Sequence, residues 1–300
     1  MAIERINFGD TKYSGAEAAI HTARYAMAKE LCRGKKILDI ACGEGYGSRL
    51  LLDWGAKDVL GVDISKEAVE NAKKNFGTVG LRYLEVDAKN IKDAVKGELF
   101  DLIVSFETFE HIPEPELYLS AIAELRSKSG AIIISCPNDW YTFPDPEDRN
   151  EHHARKYTID EFVEKCTVNL GKPSAIGVGT PCYGWVNLPI GRNGVWRDAK
   201  TMNQMLMAQS ATAVISPAED KSLTEKNAYY FWAAWGIEEE KLMSLAALPV
   251  STDTYRVVLM NDDHVSLNLL TKRWNNLSAV PKAIEFVLRR TVRRIRSLMR

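Results

Sequence analysis

Residues 36–52 read KILDIACGEGYGSRLLL, and this stretch decides the fold. A short apolar run carrying Asp39 gives way to Gly43, Gly45 and Gly47, and then to an amphipathic pattern. The run predicts a buried strand and the pattern a helix. Backbone this bare at the mouth of a strand lets something come close.

The same rhythm continues outward. DVLGVDIS (58–65), LRYLEVDA (81–88), FDLIVSFE (100–107) and GAIIISCP (130–137) read as further strands. Between them KEAVENAKKNF (66–76), behind a Ser65 cap, and ELYLSAIAELRS (116–127) read as helices. GAEAAIHTARYAMAKELC (15–32) predicts a leading helix, and TIDEFVEKCTVNL (158–170) another, opened by a Thr158–Glu161 capping box. Strands apolar on both sides, alternating with helices, predict an α/β fold with a doubly wound, mostly parallel sheet covered on both faces. After Leu170 the rhythm breaks into a stretch rich in Gly, Pro and Trp (171–198), then a helical pattern (201–215). NAYYFWAAWG (227–236) predicts a terminal antiparallel strand at about 227–235, with TYRVVLM (254–260) as its rival. That division makes 1–236 the main domain, with a core at 36–170, an insertion at about 181–226, and 237–280 a C-terminal extension.

The net charge of −1 hides an asymmetry. Residues 281–300 carry seven Lys and Arg against Glu285, a net +6, so the rest of the chain sums to −7. In this tail Ile284, Val287, Leu288, Val292, Ile295 and Leu298 share one helical stripe, which suits an anionic membrane surface or an acidic partner. Five scattered cysteines without a CxxC pair speak against a zinc site and a disulfide framework. The N-terminus lacks the apolar core of a signal peptide, so a cytoplasmic setting is expected, peripheral to a membrane where the tail binds one.

Three ligands compete for the glycine loop. A P-loop needs Gly-Lys-Ser/Thr after four residues, and no such string is present. The dinucleotide pattern G-x-G-x-x-G is met poorly, since Ser48 stands at the third glycine, although Asp63 sits where a ribose-binding acid belongs. S-adenosylmethionine offers the same ribose but a cationic sulfonium in place of pyrophosphate. Asp39 before the glycines and Glu44 between them suit a cation and repel a pyrophosphate, so charge decides for this third ligand.

LDIACGEGYGS, VDIS, VDA, FDLIVSFETFEHI and AIIISCPN, in that order over about residues 16–170, resemble the class I methyltransferases that use S-adenosylmethionine. HTARYAMA, SFETFEHI and HHARKYTIDEF are similar to the subgroup associated with bacterial surface-polysaccharide synthesis. The resemblance implies a seven-stranded Rossmann-like sheet. It also implies that Asp39, Ala41, Gly43, Glu44 and Gly45 line the methionine end of the cofactor, and that Asp63 holds the ribose. Ile64 would pack on adenine, Asp87 and Ala88 would meet its amino group, and Ser105, Phe106 and Glu107 would lie beside the methyl. His21, Arg24 and Tyr25 would reach the cofactor or cover it.

Methyl transfer to a hydroxyl needs a base near the acceptor. His111, just past the fourth strand, is one candidate, with Glu107 and Glu110 beside it. His152 and His153, after the loop NDWYTFPDPEDRN, are others. No metal is expected from that pair, because adjacent side chains point apart. Trp185, Trp196, Tyr229, Tyr230, Trp232 and Trp235 offer either a sugar-stacking surface or core and dimer contacts, so a homo-oligomer stays in view. An acidic body and no Asn-Pro-Pro-Tyr string after the fourth strand speak against a nucleic-acid acceptor. The expected activity is O-methylation of a sugar or surface-glycan precursor. N-methylation of an amino sugar or other small metabolite, and a non-catalytic partner of glycan-assembly enzymes, are the alternatives.

Overall fold

The computed structural model describes residues 15–180, 224–238 and 241–242. The chain alternates strand and helix. α1 (Gly15–Ala26) leads into β1 (Lys36–Ile40), α2 (Tyr46–Asp53), β2 (Asp58–Asp63), α3 (Lys66–Phe76) and β3 (Leu81–Glu85). Then follow α4 (Ile91–Ala94), β4 (Phe100–Ser105), α5 (Glu116–Leu125), β5 (Arg126–Pro137), α6 (Asp139–Thr142), α7 (Ile159–Leu170), β6 (Ala175–Gly179) and β7 (Tyr230–Trp235). The seven strands form one sheet in the order β3-β2-β1-β4-β5-β7-β6, with β7 antiparallel to both its neighbours.

The central strands are buried because their side chains are apolar on both faces. One face packs Ile122 of α5 and Phe162 of α7 against Phe100 and Ile103. The other packs Tyr25 of α1, Leu51 of α2 and Val69 of α3 against Ile37 and Leu102. Each such aliphatic chain contributes about 1.5–3 kcal/mol on burial. α2, after β1, therefore lies on one face and α5, after β4, on the other. That reversal between neighbouring parallel strands opens a crevice at their carboxyl ends. Register makes those ends level, since Ile40 lies opposite Ser105 on one side and Val62 on the other.

The expected caps form. The Ser65 side chain accepts from the Ala68 N–H, and Thr158 and Glu161 make a reciprocal capping box. The leading helix is shorter than its composition suggests. Met27 and Ala28 donate to Arg24 and Tyr25 carbonyls three residues back, tightening α1 into a single 3-10 turn at Lys29–Leu31. β6 lies in the stretch after Leu170 where the strand–helix rhythm breaks off and no strand is predicted. Gly177 and Gly179 are where the Trp232 and Tyr230 rings of β7 lie flat against the strand, and any side chain there would enter those rings. The rival strand 254–260, the helical pattern at 201–215, Trp185, Trp196 and the basic tail lie outside the described residues.

Candidate cofactor and acceptor site

The three glycines do three different things. Gly45 takes φ +84°, and a side chain there would strike Ala72 and Tyr83, whose hydroxyl donates to the Gly45 carbonyl at 2.8 Å. Gly47 is the floor for the Tyr25 ring. Only Gly43, at φ +55°, faces open space, with no atom within 4 Å of where a Cβ would stand. Its N–H donates to Asp63 Oδ2 at 2.9 Å, while Ser65 N–H donates to Asp63 Oδ1 at 2.9 Å. Two backbone donors thus fix the Asp63 carboxylate at the mouth of β2. Next to it Ile64 leaves 65% of its surface in solvent, an unusual place for an isoleucine.

Asp39 is fully buried below the loop. Ser48 Oγ donates to it at 2.6 Å and Tyr25 Oη at 3.1 Å. Burial pushes its carboxyl up to about 7, against the pull of those two hydrogen bonds. Glu44 is buried and accepts from Asn71 Nδ2 at 3.3 Å. Asp87 is half-buried and caps the turn that begins at Ala88.

Two non-glycine residues take left-handed backbone at this edge, Ala41 at φ +58° and Glu107 at φ +48°. They follow the ends of β1 and β4, on either side of the crevice, and strain of this kind gathers at working sites. Glu107 is held in place by Ser135 Oγ, which donates to Oε1 at 2.7 Å, and by Arg24, which donates to Oε2 at 2.7 Å. Arg24 lies over the Tyr230 ring at 4.4 Å, and its buried Nε has no partner. Tyr25 packs edge-on against Phe106 at 5.0 Å. His21 Nδ1 meets Tyr46 Oη at 2.9 Å, and burial followed by the Arg24 charge lowers its imidazole to about 3.

A second cluster follows β4. Glu110, at 1% exposure, keeps Oε2 without a partner, and burial and then Glu107 raise its carboxyl well above the usual range. His111 Nδ1 lies 3.0 Å from the His152 carbonyl, and His153 Nδ1 lies 2.5 Å from Asp139 Oδ2. Lys156 holds the overhanging loop, donating to the carbonyls of Phe143 and Asp145 at 2.5 and 2.7 Å.

A family model described as a methyltransferase domain matches residues 31–187 of the 300. The chain belongs to the methyltransferase-domain family. It is 27% identical over 146 residues, 48% of this chain and 54% of the relative, to a probable S-adenosylmethionine-dependent methyltransferase of Mycolicibacterium smegmatis. It is 27% identical over 156 residues, 46% and 65% of the two chains, to a ubiquinone biosynthesis O-methyltransferase of Methylococcus capsulatus. A malonyl-[acyl-carrier protein] O-methyltransferase of Anoxybacillus flavithermus is 29% identical over 148 residues, 49% and 51% of the two chains. The chain thus spans 51–65% of the length of these curated relatives. S-adenosylmethionine is the cofactor of this family.

In this methyltransferase domain the sequence-predicted residues fall into three places. Asp39, Ala41, Gly43, Glu44, Gly45, Asp63 and Ile64 gather at the ends of β1 and β2. Arg24, Tyr25, Phe106 and Glu107 form the wall across the crevice. The Ser105 hydroxyl does not join them, because Tyr118 Oη of α5 donates to it at 2.7 Å in the core. Glu107 has both carboxylate oxygens engaged, Oε1 by Ser135 and Oε2 by Arg24. His152 and His153 do diverge, the first exposed and the second buried. Asp139 escaped the sequence reading; its signal was an acid just past a strand end, on the edge that also carries the histidines.

Proposed function

We propose that this chain is an S-adenosylmethionine-dependent methyltransferase acting on a hydroxyl of a small-molecule acceptor, a sugar or surface-glycan precursor. One observation carries the reading: bare Gly43 backbone under open space, beside an anchored Asp63 carboxylate and an exposed Ile64. That arrangement suits an adenosine cradle, and the acids around it disfavour a pyrophosphate.

The bound cofactor supplies a methyl group made electrophilic by its sulfonium. Asp63 would accept from the ribose hydroxyls, since each carboxylate oxygen has lone-pair capacity beyond its backbone donor. Ile64 would cover adenine, with Asp87 and Ala88 at its far edge. Asp39, Ala41, Glu44 and Gly45 would surround the methionine end, and the unpartnered Arg24 Nε suits its carboxylate. Tyr25 and Phe106 exclude water from that end, which strengthens each electrostatic contact.

The acceptor would approach past the Glu110, His111 and His153 cluster. A carbonyl and an ionised carboxylate can only accept, so His111 and His153 carry their protons on Nδ1 and present Nε2 as the basic nitrogen. The acceptor oxygen forms its bond to the methyl carbon as the carbon–sulfur bond breaks, and the hydroxyl proton leaves on this side. Two of the relatives are named O-methyltransferases, which favours oxygen as the acceptor atom. A lipid-linked acceptor at the cytoplasmic membrane face would give the basic tail its use; liposome flotation unchanged by deleting 281–300 would remove that part of the proposal.

Calorimetric titration with S-adenosylmethionine, S-adenosylhomocysteine and NAD tests the core of the reading. Binding of the first two should weaken by 100-fold or more in Asp63→Ala, in the range of about 3 kcal/mol for charge-assisted hydrogen bonds lost together. Binding of NAD alone would refute it. Label transfer from S-adenosylmethionine to a panel of sugar hydroxyls and amino sugars then separates the oxygen acceptor from a nitrogen one.

A further inference from the structure

We propose that Glu110, His111 and His153 form a site for a divalent transition-metal ion, with Asp139 as the residue that orients His153. The three side chains come from two separated segments and bring one ligand atom each within 4.8 Å of the others. Glu110 and His111 sit on the 3-10 turn after β4, and His153 follows the loop that leaves β5.

Three independent features point to a cation. First, the Glu110 carboxylate is almost wholly buried, yet Oε2 has no hydrogen-bond partner and Oε1 lies 3.6 Å from His111 Nε2. A buried carboxylate without a partner is costly, and a cation between it and the imidazoles would offset that cost. Second, each imidazole gives its Nδ1–H to an oxygen, His111 to the His152 carbonyl and His153 to Asp139. This outer ring of acceptors is what sets the tautomer and aim of metal-bound histidines, and it makes Nε2 the candidate ligand atom. Third, the two rings meet edge to face rather than stacked, at 86° with centroids 4.9 Å apart, and a nitrogen of each lies within 4.8 Å of the other and of a Glu110 oxygen. The Asn150 amide sets the same tautomer. Its Oδ1 accepts from His152 N–H, so its Nδ2 faces His153 Nε2 at 3.2 Å, a long contact that a metal bond would replace.

Two imidazoles and one carboxylate are three protein ligands with positions left open, the donor set of zinc, manganese or iron(II) and not of calcium. The ion's role rests on the methyl-transfer reading: its open positions would hold one or two adjacent acceptor oxygens and make a bound hydroxyl more acidic, and with Nε2 of both histidines then committed to the ion the proton would pass to water rather than to an imidazole. The site itself does not depend on that reading.

The test uses the full chain, stripped with chelator and titrated calorimetrically with Zn²⁺ and with Mn²⁺, and separately with S-adenosylhomocysteine. One equivalent of metal should bind. His111→Ala/His153→Ala should weaken it at least about 100-fold, and Asp139→Asn by about 10–100-fold through the lost orientation. Glu110→Gln should also weaken it, while His152→Ala should leave metal affinity within about twofold. Cobalt(II) bound to the wild type should show visible absorption that the double histidine variant loses. Retained S-adenosylhomocysteine binding in each variant certifies the fold. No metal uptake by protein that binds S-adenosylhomocysteine would overturn the site and leave the cofactor reading standing. Uptake undiminished in the double variant, or lost in His152→Ala instead, would overturn it too. Metal uptake without S-adenosylhomocysteine binding would support the site and sink the cofactor reading.

Discussion

Gly47→Ala is the sharpest probe of how the glycine loop is built. Gly47 lies in the first turn of α2, where alanine is the better helix former by up to about 1 kcal/mol. Helix propensity alone therefore predicts stabilisation. The structure predicts the opposite, because a methyl group on Gly47 would land inside the Tyr25 ring. That ring has little room to yield: its hydroxyl is tied to both Asp39 oxygens at 3.1 and 3.2 Å, and Phe106 and Tyr46 flank it at 5.0 and 5.6 Å. Overpacking costs about 1–3 kcal/mol. Surrendering the bond to Asp39 instead costs a similar amount, about 1.5–3 kcal/mol for a hydrogen bond to a charged group. At roughly 2–4 °C per kcal/mol for a domain of this size, Tm should fall by about 2–12 °C. The assay is thermal melting of a double-mutant cycle with Tyr25→Ala. In that background the ring is gone, so Gly47→Ala should be neutral or stabilising, and the coupling should reach about 1–3 kcal/mol. A Tm raised by Gly47→Ala in the wild-type background would refute the placement of α1 over the loop.

Other outcomes follow from the same geometry. Asp39, raised from 3.8 to about 7 by burial, faces Tyr25, Ser48 and Asp63. Its stabilising contribution to the apo fold is complete below pH 4 and is lost as pH rises through about 7. A sulfonium favours the ionised form, so S-adenosylmethionine should bind more tightly as pH rises toward 7, by at most about tenfold per unit, and level off above it. The neutral thioether of S-adenosylhomocysteine should show a weaker dependence, and calorimetry on Asp39→Asn should flatten both profiles. Asn138→Ala should cost about 2–4 kcal/mol in denaturant unfolding, because this buried amide donates to the carbonyls of Glu225, Lys226 and Ala228 and ties β5 to the chain entering β7. Thr158→Ala breaks the capping box of α7 and should cost about 1 kcal/mol, with cofactor affinity unchanged.

The parallel core was legible because its strands are apolar on both faces and their helices carry caps at the first turn, as at Ser65 and Thr158. Both signals are local. β6 was illegible for a physical reason: Gly177 and Gly179 resemble loop residues until the Trp232 and Tyr230 rings of β7 are laid over them, more than fifty residues later in sequence. The candidate cofactor side could be proposed from charge and spacing, since Asp39, Glu44 and Asp63 sit within 25 residues of one another. The acceptor side could not. Whether His152 or His153 turns inward depends on Asp139, and the meeting of His111 with His153 spans more than forty residues.

Glu107 joins the two halves. Its left-handed backbone costs on the order of 1–3 kcal/mol, and the surrounding contacts must hold it there. They do so from three elements: Ser135 of β5 through both the Glu107 N–H and its carboxylate, Arg24 of α1 through the ion pair, and Tyr230 of β7 beneath the guanidinium. Arg24 is the member that a cofactor carboxylate would also contact. A cofactor that engages Arg24 therefore acts on the same residue that holds Glu107, and Glu107 begins the short turn that delivers Glu110 and His111. Arg24→Ala should weaken S-adenosylhomocysteine and release Glu107 together, whereas Ser135→Ala should release Glu107 while leaving Arg24 its ion pair. If the strained turn couples the two ligands, Ser135→Ala will lower methyl transfer in kcat more than it weakens cofactor binding. Equal losses in both would mean that Glu107 serves the cofactor wall alone.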